Sequence, residues 1–392
     1  MKKGLVLEGG GAKGAFQCGA IKALYDNGYT FDGVAGTSIG AINAAILAQD
    51  GNYQTLYDMW MNVSASDISD FDNLEVTKLL SKEFSKKSTI YWAKKLVEVV
   101  RHGGICSQKT NDFLKKYIDE EKVRSSSMDL AVVTYCISDR QPLEIFKKDI
   151  PEGYLVDYIF ASAHFPAFKI KRYFDGKIYI DGGVYNNMPA NVLIANGYDD
   201  IIAIRTMSKM PHVKVDSSGI NVKYICPSEN LGRMANVHRN SINNNIKLGY
   251  YDALKLIKNL KGYKYYVDGD LSVINEIAKK FVTSNANKLA KILNIHGDDL
   301  ETKFIGEVSY VYDLPKSTLV DILLYLLEIC AKQYKVEKYR IYTESEFLNA
   351  IFDKIDKSKK TLSEKIQIKR HKKEYVDILE LILGALKEKN YE

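Results

Sequence analysis

Apolar runs and helical patterns alternate along the first part of the chain. Gly4–Glu8 predicts a short buried strand, and the glycine-rich segment Gly9–Gly14 separates it from a helical pattern. Asp32–Gly36 repeats the strand, and Ser38–Gln49 is rich in alanine and isoleucine, as is typical of a buried helix. Further strands are expected at Leu130–Tyr135, at Leu143–Phe146, before Asp181 and at Ile201–Arg205. Because strands alternate with helices, we expect a mainly parallel sheet with helices on both faces.

The pattern changes at about residue 270, where long lysine-rich helical stretches begin. Ser317–Gln333 and Thr361–Lys389 are the clearest of them, and both carry apolar residues at helical spacing. We therefore predict two parts, an α/β domain over residues 1–270 and a C-terminal mainly helical region over residues 271–392. A chain of 392 residues is long enough for both, since single cores usually stop growing near ~250–300 residues.

Composition and charge narrow the class of protein. Hydrophobic residues make up 46% of the chain and charged residues 27%, proportions that argue against long disorder or a fibrous repeat. Five cysteines form an odd set without a C-x-x-C pair, so neither a disulfide framework nor a zinc site is indicated. No apolar run approaches the ~18–20 residues of a membrane-spanning helix. We expect a cytoplasmic protein whose membrane contact, if any, is peripheral.

The first candidate motif surrounds Ser38. Gly36, Ser38 and Gly40 form a G-x-S-x-G pattern at a predicted strand-to-helix turn. Flanking glycines relieve the crowding of a sharp turn, so the hydroxyl can stand exposed at a helix N-terminus, where partial positive charge favours an alkoxide. Such a short pattern also occurs by chance, and its plainer interpretation is a glycine-lined turn capped by serine.

The second motif is the glycine segment Gly9–Gly14, which also fits the dinucleotide-binding pattern G-x-G-x-x-G. That function requires an acid at the end of the second strand, whereas Asp32 lies at its start. A P-loop fails as well, because Ala15 and Phe16 follow Gly14. The glycines are better suited to aim backbone N–H groups at an oxyanion, with Lys13 adding positive charge nearby.

The third motif is Asp181-Gly182-Gly183, at the end of an apolar run. An acid followed by two glycines can approach another backbone closely, as a base beside a nucleophile must. The alternative is a turn aspartate, because Asp-Gly is a strong turn signal.

Together these motifs resemble the patatin-like phospholipase family. The resemblance also includes the alanine, serine and proline segment Ala161–Phe168 and the loop Asn187–Pro189, and it covers roughly residues 4–206. It implies a three-layer α/β/α sandwich and a lipid or acyl-ester substrate, hydrolysed without metal or cofactor. The residue roles that it implies are a Ser38–Asp181 dyad, an oxyanion hole at Gly9, Gly10 and Gly11, a nucleophile elbow at Gly36 and Gly40, and supporting positions at Lys13, Gly182 and Gly183.

Two departures from the family leave alternatives open. His164 stands where the family usually has a small residue, and a Ser-His-Asp triad is the rival mechanism. In the order of an α/β-hydrolase triad the histidine follows the acid, which leaves the candidates His212, His238, His296 and His371. Residues beyond about 270 match no module of the family.

One segment bears on membrane contact. On a helical projection, Ile90–His102 has an apolar face that includes Trp92 and a largely basic opposite face, so it is predicted to cover a core or to lie on a membrane. Two other functions remain as alternatives to a lipid acyl hydrolase: a nucleotide-binding protein that uses Gly9–Gly14, and a catalytically silent lipid-binding protein. No nucleic-acid partner is expected, and the sequence assigns no oligomeric state.

Overall fold

The computed structural model describes residues 1–64, 67, 108–165, 168–173, 175–295, 299–358 and 373–387. By internal contacts the chain divides into two compact units, Met1–Leu254 and Lys255–Glu392. The boundary near residue 270 stays a prediction from sequence; the units divide earlier because Tyr266–Asp268 pairs in parallel with Ile341–Thr343. The amphipathic segment Ile90–His102 and a large part of the predicted helix Thr361–Lys389 lie outside the described residues.

The first unit is built on one mixed, mostly parallel sheet. Its strands are β1 (Lys3–Leu7), β2 (Gly33–Thr37), β3 (Asp129–Cys136), β4 (Gln141–Phe146), β5 (Tyr179–Asp181), β6 (Asp200–Ile204) and β7 (Asn221–Ile225). Their order is β4-β3-β2-β1-β6-β7, and β5 also pairs with β3. The pairs from β3 through β2, β1 and β6 to β7 are parallel, whereas β4 and β5 run antiparallel to β3.

Helices cover both faces of this sheet. They are α1 (Gly14–Asp26), α2 (Ile39–Asp50), α3 (Gln54–Asn62), α4 (Gln108–Tyr117), α5 (Glu120–Ser125), α6 (Leu155–Ser162), α7 (Ala190–Ile194) and α8 (Arg239–Ile257), the last crossing the unit boundary. Neighbouring strand residues point to opposite faces, and Leu5 and Val6 are both completely buried. Burial of both faces is the arrangement expected of a parallel sheet between two helical layers. The predicted α/β fold with a mainly parallel sheet is therefore confirmed.

The second unit is mainly helical. It contains α9 (Ser272–Ser284), α10 (Ala286–Leu293), α11 (Leu300–Tyr312), α12 (Leu319–Gln333), α13 (Glu344–Asp356) and α14 (Lys373–Lys387), with the strand pair β8 (Tyr266–Asp268) and β9 (Ile341–Thr343). Helix α12 is buried on nearly all sides and starts at a capping box between Thr318 and Asp321. None of the helices that the structure describes, in either unit, has the length and apolarity needed to cross a membrane.

Candidate active site

Ser38 lies in a strained turn between β2 and α2. Its backbone has φ +57° and ψ −127°, a conformation that a residue with a side chain rarely adopts and that the surrounding structure must impose. A Cβ atom at Gly40 would collide with the carbonyl oxygen of Leu7, and one at Gly36 with that of Gly40. The Ser38 N–H donates to Oγ of Ser162 at 3.0 Å. The glycines therefore let α2 turn sharply off the sheet with the half-buried Ser38 at its start.

Strand pairing brings Asp181 to Ser38. Residue Thr134 of β3 pairs with Leu143 of β4 and also with Asp181 of β5, so β5 lies on the edge of β3 opposite to β4. That edge is the one that β2 uses, and β2 ends with Thr37 opposite Val133. Because β5 runs antiparallel to β2, the last residues of the two strands meet end to end. A Cβ at Gly182 would collide with the Val133 carbonyl, which explains the glycine after the aspartate.

The carboxylate of Asp181 is only 6% exposed. Burial raises its pKa to about 6, against the hydrogen bonds that it accepts from the Ser38 hydroxyl and the Gly183 N–H. The Gly183 bond measures 2.7 Å, and the backbone N–H of Asp181 donates to the carbonyl of His164 at 2.9 Å. The aspartate is thus held at both its backbone and its side chain, with its base strength raised toward neutral pH.

The glycine segment presents unused N–H groups. Gly9 donates to the carbonyl of Asn187 at 3.0 Å, and its own carbonyl accepts from the Thr206 hydroxyl at 2.6 Å. Within the described part of the chain, the N–H groups of Gly10 and Gly11 donate to no other group. Gly11 has φ +58°, where a side chain would be strained. Of the three predicted oxyanion donors, Gly10 and Gly11 are available and Gly9 is already bonded.

Lys13 ends the 3-10 turn Gly11–Lys13, and its N–H donates to the carbonyl of Gly10 at 3.3 Å. The backbone of Lys13 therefore helps to close the loop. The supporting positive charge predicted for its side chain stays a prediction.

Glu8 supports the glycine segment, a role that was not predicted from the sequence. Its fully buried carboxylate accepts from the N–H groups of Thr206 at 2.6 Å and Met207 at 3.0 Å, and from the Arg205 guanidinium at 3.1 Å. Thr206 in turn holds the carbonyl of Gly9. The sequence did carry a signal for this role: an acid directly follows the buried apolar run of β1 and directly precedes three glycines. A charge buried at such a place needs a partner.

Ser38 and Asp181 open into an apolar cavity of about 170 Å³. Its walls come from α2, α3, α4, the segment after α6 and residues 234–237, and they include Ile39, Ile42, Met59, Trp60, Val63, Phe113, Leu114, Phe165, Met234 and Val237. Gly11, Ser38 and Asp181 line this same cavity. The cavity suits an apolar group attached to a reacting polar centre.

A chain of amide side chains connects the cavity wall with the glycine segment. The indole N–H of Trp60 donates to Asn43 at 3.1 Å, Asn43 donates to Gln17 at 2.9 Å, and Gln17 donates to the carbonyl of Glu8 at 2.6 Å. The Arg239 guanidinium donates to the carbonyl of Trp60 at 3.0 Å at the end of α3. Trp60 is therefore fixed through its side chain and its backbone.

His164 lies beside the site without contacting the reacting groups. Its ring is 2% exposed, packs edge-on against Phe160 and Phe168, and pairs through Nδ1 with the Tyr173 hydroxyl at 3.2 Å. Burial, followed by the charge of Lys171, lowers its pKa to about 4. The ring stays neutral at physiological pH, and the residue positions Asp181 through its carbonyl.

The other histidines offer no triad partner among the described residues. His212 and His238 are exposed, and no histidine there hydrogen-bonds to Ser38 or Asp181. His296 and His371 lie outside the described residues.

The dinucleotide alternative lacks its acid in the structure. Asp32 lies immediately before β2, and its carboxylate accepts from the N–H of Lys3 at 2.7 Å. Because β1 and β2 are parallel, Asp32 is at the amino edge of the sheet, whereas Gly9–Gly14 follows the carboxyl edge. A ribose on the glycine loop would be far from this carboxylate. No group of three or more His, Cys, Asp or Glu side chains in the described ranges could hold a metal ion.

Comparisons with known proteins agree with the motifs. Residues 5–194 match the family model described as patatin-like phospholipase. A patatin-like phospholipase domain-containing protein of Caenorhabditis elegans is 27% identical over 51% of this chain and 13% of its own length. The neuropathy target esterase of Drosophila melanogaster is 28% identical over 51% of this chain and 12% of its own length. A lysophospholipase of Aspergillus terreus is 52% identical over 54 residues, which are 14% of this chain and 4% of that protein. The chain thus spans a small part of these relatives.

Among solved structures, VipD from Legionella pneumophila is similar over 99% of this chain and 85% of its own, with a TM-score of 0.42 and 16% identity.

Proposed function

Because residues 5–194 of this chain belong to the patatin-like phospholipase family, we propose that the protein is a serine acyl hydrolase that cleaves fatty-acyl esters of phospholipids or related lipids. The observation that carries the proposal is the arrangement at the end of β2. There the Ser38 hydroxyl donates to the buried Asp181 carboxylate, inside the apolar cavity that Gly11 also lines. A nucleophile, a base and oxyanion donors are the three parts that acyl transfer requires.

In the first half of the reaction, Ser38 Oγ attacks the ester carbonyl carbon, and its proton passes to Asp181. The carbonyl oxygen becomes an oxyanion that accepts from the N–H groups of Gly10 and Gly11, where each donor contributes ~2.7–4 kcal/mol. The N-terminal end of α2 adds positive potential at Ser38. When the tetrahedral intermediate collapses, the C–O bond to the leaving alcohol breaks, and that alcohol takes the proton from Asp181.

In the second half, water attacks the acyl-serine and gives its proton to Asp181. The same N–H groups hold the second oxyanion, the C–O bond to Ser38 breaks, and Ser38 recovers the proton. The free fatty acid leaves. A pKa of about 6 suits Asp181 to this exchange, because the group is ionised at neutral pH yet is a stronger base than an exposed aspartate.

The cavity points to the acyl side of the substrate. Ligand pockets for drug-sized molecules enclose ~300–1,000 Å³, and the cavity of about 170 Å³ is smaller and apolar. We place one acyl chain there, with the polar head group outside. The similarity to a fungal lysophospholipase supports a substrate with a single acyl chain.

Labelling with a fluorophosphonate tests the proposal. We expect the probe to modify Ser38 in the wild-type chain, and Ser38→Ala to abolish both labelling and hydrolysis of p-nitrophenyl butyrate. Ser125→Ala is the matched control, because Ser125 is exposed on α5 and should leave both unchanged. Mapping of the label to another serine, or retention of substantial activity in Ser38→Ala, would contradict the proposal.

A further inference from the structure

A short extension of the sheet projects beyond the catalytic serine. After Cys136 pairs with Tyr179, the N–H of Ile137 donates to the carbonyl of Ile178 at 2.8 Å, and Ile178 bridges to Arg172. Residues 137–140, 169–172 and 177–178 therefore form one edge, which we name the rim. Thr37, the last residue of β2, is opposite Val133, so Ile137, four residues further along, lies roughly 13 Å past Thr37 at ~3.3 Å per residue.

The two sides of the rim differ. Lys171 and Tyr173 point inward, since Tyr173 is buried and the Lys171 ammonium lies over the Phe160 and Tyr173 rings. Side chains alternate along an extended chain, so Ile170 and Arg172 point outward. Ile170 is 60% exposed and Ile137 is 42% exposed. The outward side thus presents two large aliphatic side chains, Ile137 and Ile170, to solvent.

The charge on the rim is mostly basic. Arg140, Lys169 and Arg172 form no ion pair within the described residues. The carboxylates nearby are already engaged: Asp157 with Lys171 at 3.5 Å, Asp139 with Lys177 at 2.6 Å, and Asp175 with the Tyr179 hydroxyl at 2.6 Å. Three cations that have no carboxylate partner among the described residues therefore flank the exposed isoleucines, although the Arg172 guanidinium also donates to the carbonyl of Gly176 at 2.8 Å.

The rim is also continuous with the cavity. Phe165 lines the cavity, and its carbonyl accepts from the N–H of Phe168 at 2.8 Å, immediately before Lys169. Both features lie at the carboxyl edge of the sheet. A surface that touches the rim therefore also faces the approach to Ser38.

We propose that the rim docks on an anionic lipid bilayer, with Ile137 and Ile170 inserted at the head-group level and Arg140, Lys169 and Arg172 on the lipid phosphates. The claim that docking brings Ser38 toward its substrate rests on the proposed function. The docking itself rests on the exposed isoleucines and cations of the rim. Isolated aliphatic side chains among cations suit a fluid interface with negative potential. A protein partner would instead need a close-packed interface of about 20–30 residues a side.

Vesicle co-sedimentation tests the docking with the full chain. We expect binding to phosphatidylcholine vesicles that contain phosphatidylserine, weak binding to phosphatidylcholine alone, and loss of binding near 1 M salt, where the screening length falls to ~3 Å. K169E with R172E should weaken binding at least about tenfold, since each basic residue contributes to attraction near the surface. I137D with I170D should do the same, whereas Arg172→Lys should retain binding.

Lys223→Glu and Tyr224→Asp on β7 are the matched controls, being one exposed cation and one exposed apolar residue away from the rim. They should bind like the wild type. The rim variants should keep the activity of the wild type on dispersed p-nitrophenyl butyrate and lose activity on vesicles. Wild-type vesicle binding by the rim variants would overturn the docking proposal, as would rim-dependent self-association in place of lipid binding. Vesicle binding together with an active Ser38→Ala variant would overturn the proposed catalysis instead.

Discussion

Each of the two units contains a buried carboxylate, and the surroundings of the two groups differ. In the first unit burial raises the pKa of Asp181 to about 6, and in the second unit burial raises the pKa of Glu328 to about 7. Asp181 accepts from one backbone N–H and from the Ser38 hydroxyl, and it borders a cavity. Glu328 on α12 accepts from the N–H groups of Tyr263 at 2.7 Å, Lys264 at 3.0 Å and Tyr265 at 3.0 Å.

The two groups show that a pKa raised by burial does not by itself identify a catalytic acid or base. Glu328 is 1% exposed, and within the described residues it accepts from three consecutive backbone N–H groups of one loop, so it fastens that loop to α12. Asp181 has fewer donors, and one of them is a hydroxyl with access to a cavity. Burial and a raised pKa are common to both residues, whereas of the two only Asp181 has a hydroxyl partner and borders a cavity.

Replacing the two acids by their amides should separate the two roles most sharply. We expect Asp181→Asn to lower kcat for p-nitrophenyl butyrate by on the order of 10⁴-fold, because the amide cannot accept the serine proton. Glu328→Gln should change kcat by no more than about twofold, since it touches no reacting atom. Steady-state kinetics measure both. Equal losses in the two variants would end the distinction, and a loss in His164→Phe as large as in Asp181→Asn would favour a triad.

The oxyanion loop gives the next largest effect. Gly11→Val should reduce kcat by about 10²–10³-fold, because a side chain at φ +58° would strain the loop and turn its N–H away from the oxyanion. Its Cβ would also meet the carbonyl of Met234. Gly306→Val is the control, since nothing lies near a Cβ there. Full activity in a folded Gly11→Val chain would contradict the oxyanion assignment.

The same comparison predicts opposite effects on stability. Glu328→Leu removes the acceptor of three N–H groups and should lower the free energy of unfolding by at least about 3 kcal/mol, at ~1–3 kcal/mol per unsatisfied group. Asp181→Asn should raise it by about 3 kcal/mol at neutral pH, because a buried carboxylate is costly and each pKa unit corresponds to about 1.4 kcal/mol. Urea denaturation measures both.

The sign for Asp181 follows from its pKa. The folded value, about 6, is above the usual value of 3.8, so the folded chain binds more protons between these values and loses stability as pH rises through this range. The gain in Asp181→Asn should therefore be complete above about pH 6 and absent below about pH 4. A gain that does not depend on pH would exclude relief of the buried charge as its cause.

The smallest effect is the acid limb of the pH profile. Activity on a dispersed ester should fall about tenfold per pH unit below about 6, because the protonated Asp181 cannot act as a base. Above that value the rate should level off. Glu328→Gln should leave the acid limb in place. If the limb disappears in that variant, the titrating group is Glu328 and not Asp181.

Glycine made much of the site predictable from sequence. Gly36, Gly40 and Gly182 lie where another backbone passes too close for a Cβ, and such positions are visible as glycines without any knowledge of the fold. The strand-loop-helix pattern around Gly9–Gly14 was predictable for a similar reason, since its elements are local.

Long-range pairing was not predictable in the same way. Strand β5 has three residues and meets β2 only because both pair with one edge of β3, a contact between segments about 140 residues apart. The support of Gly9 by Glu8 and Thr206 also joins distant segments, as does the capture of the His164 ring by Tyr173. In each case the partner of a polar group is decided by the fold, so the residue type alone could not reveal it.

The hydrogen bonds from Trp60 through Asn43 and Gln17 to the carbonyl of Glu8 join the cavity wall to the strand directly before the glycine segment. A substitution of Trp60 would both reshape the cavity wall and remove its hydrogen bond to Asn43, and we expect the disturbance to reach β1, which directly precedes the glycine segment. We therefore expect chain-length preference to drift only together with catalytic rate. Substitutions at Phe113 or Val237 should instead change the chain-length preference alone. Both residues line the cavity, and in the described residues neither hydrogen-bonds to Trp60, Asn43 or Gln17.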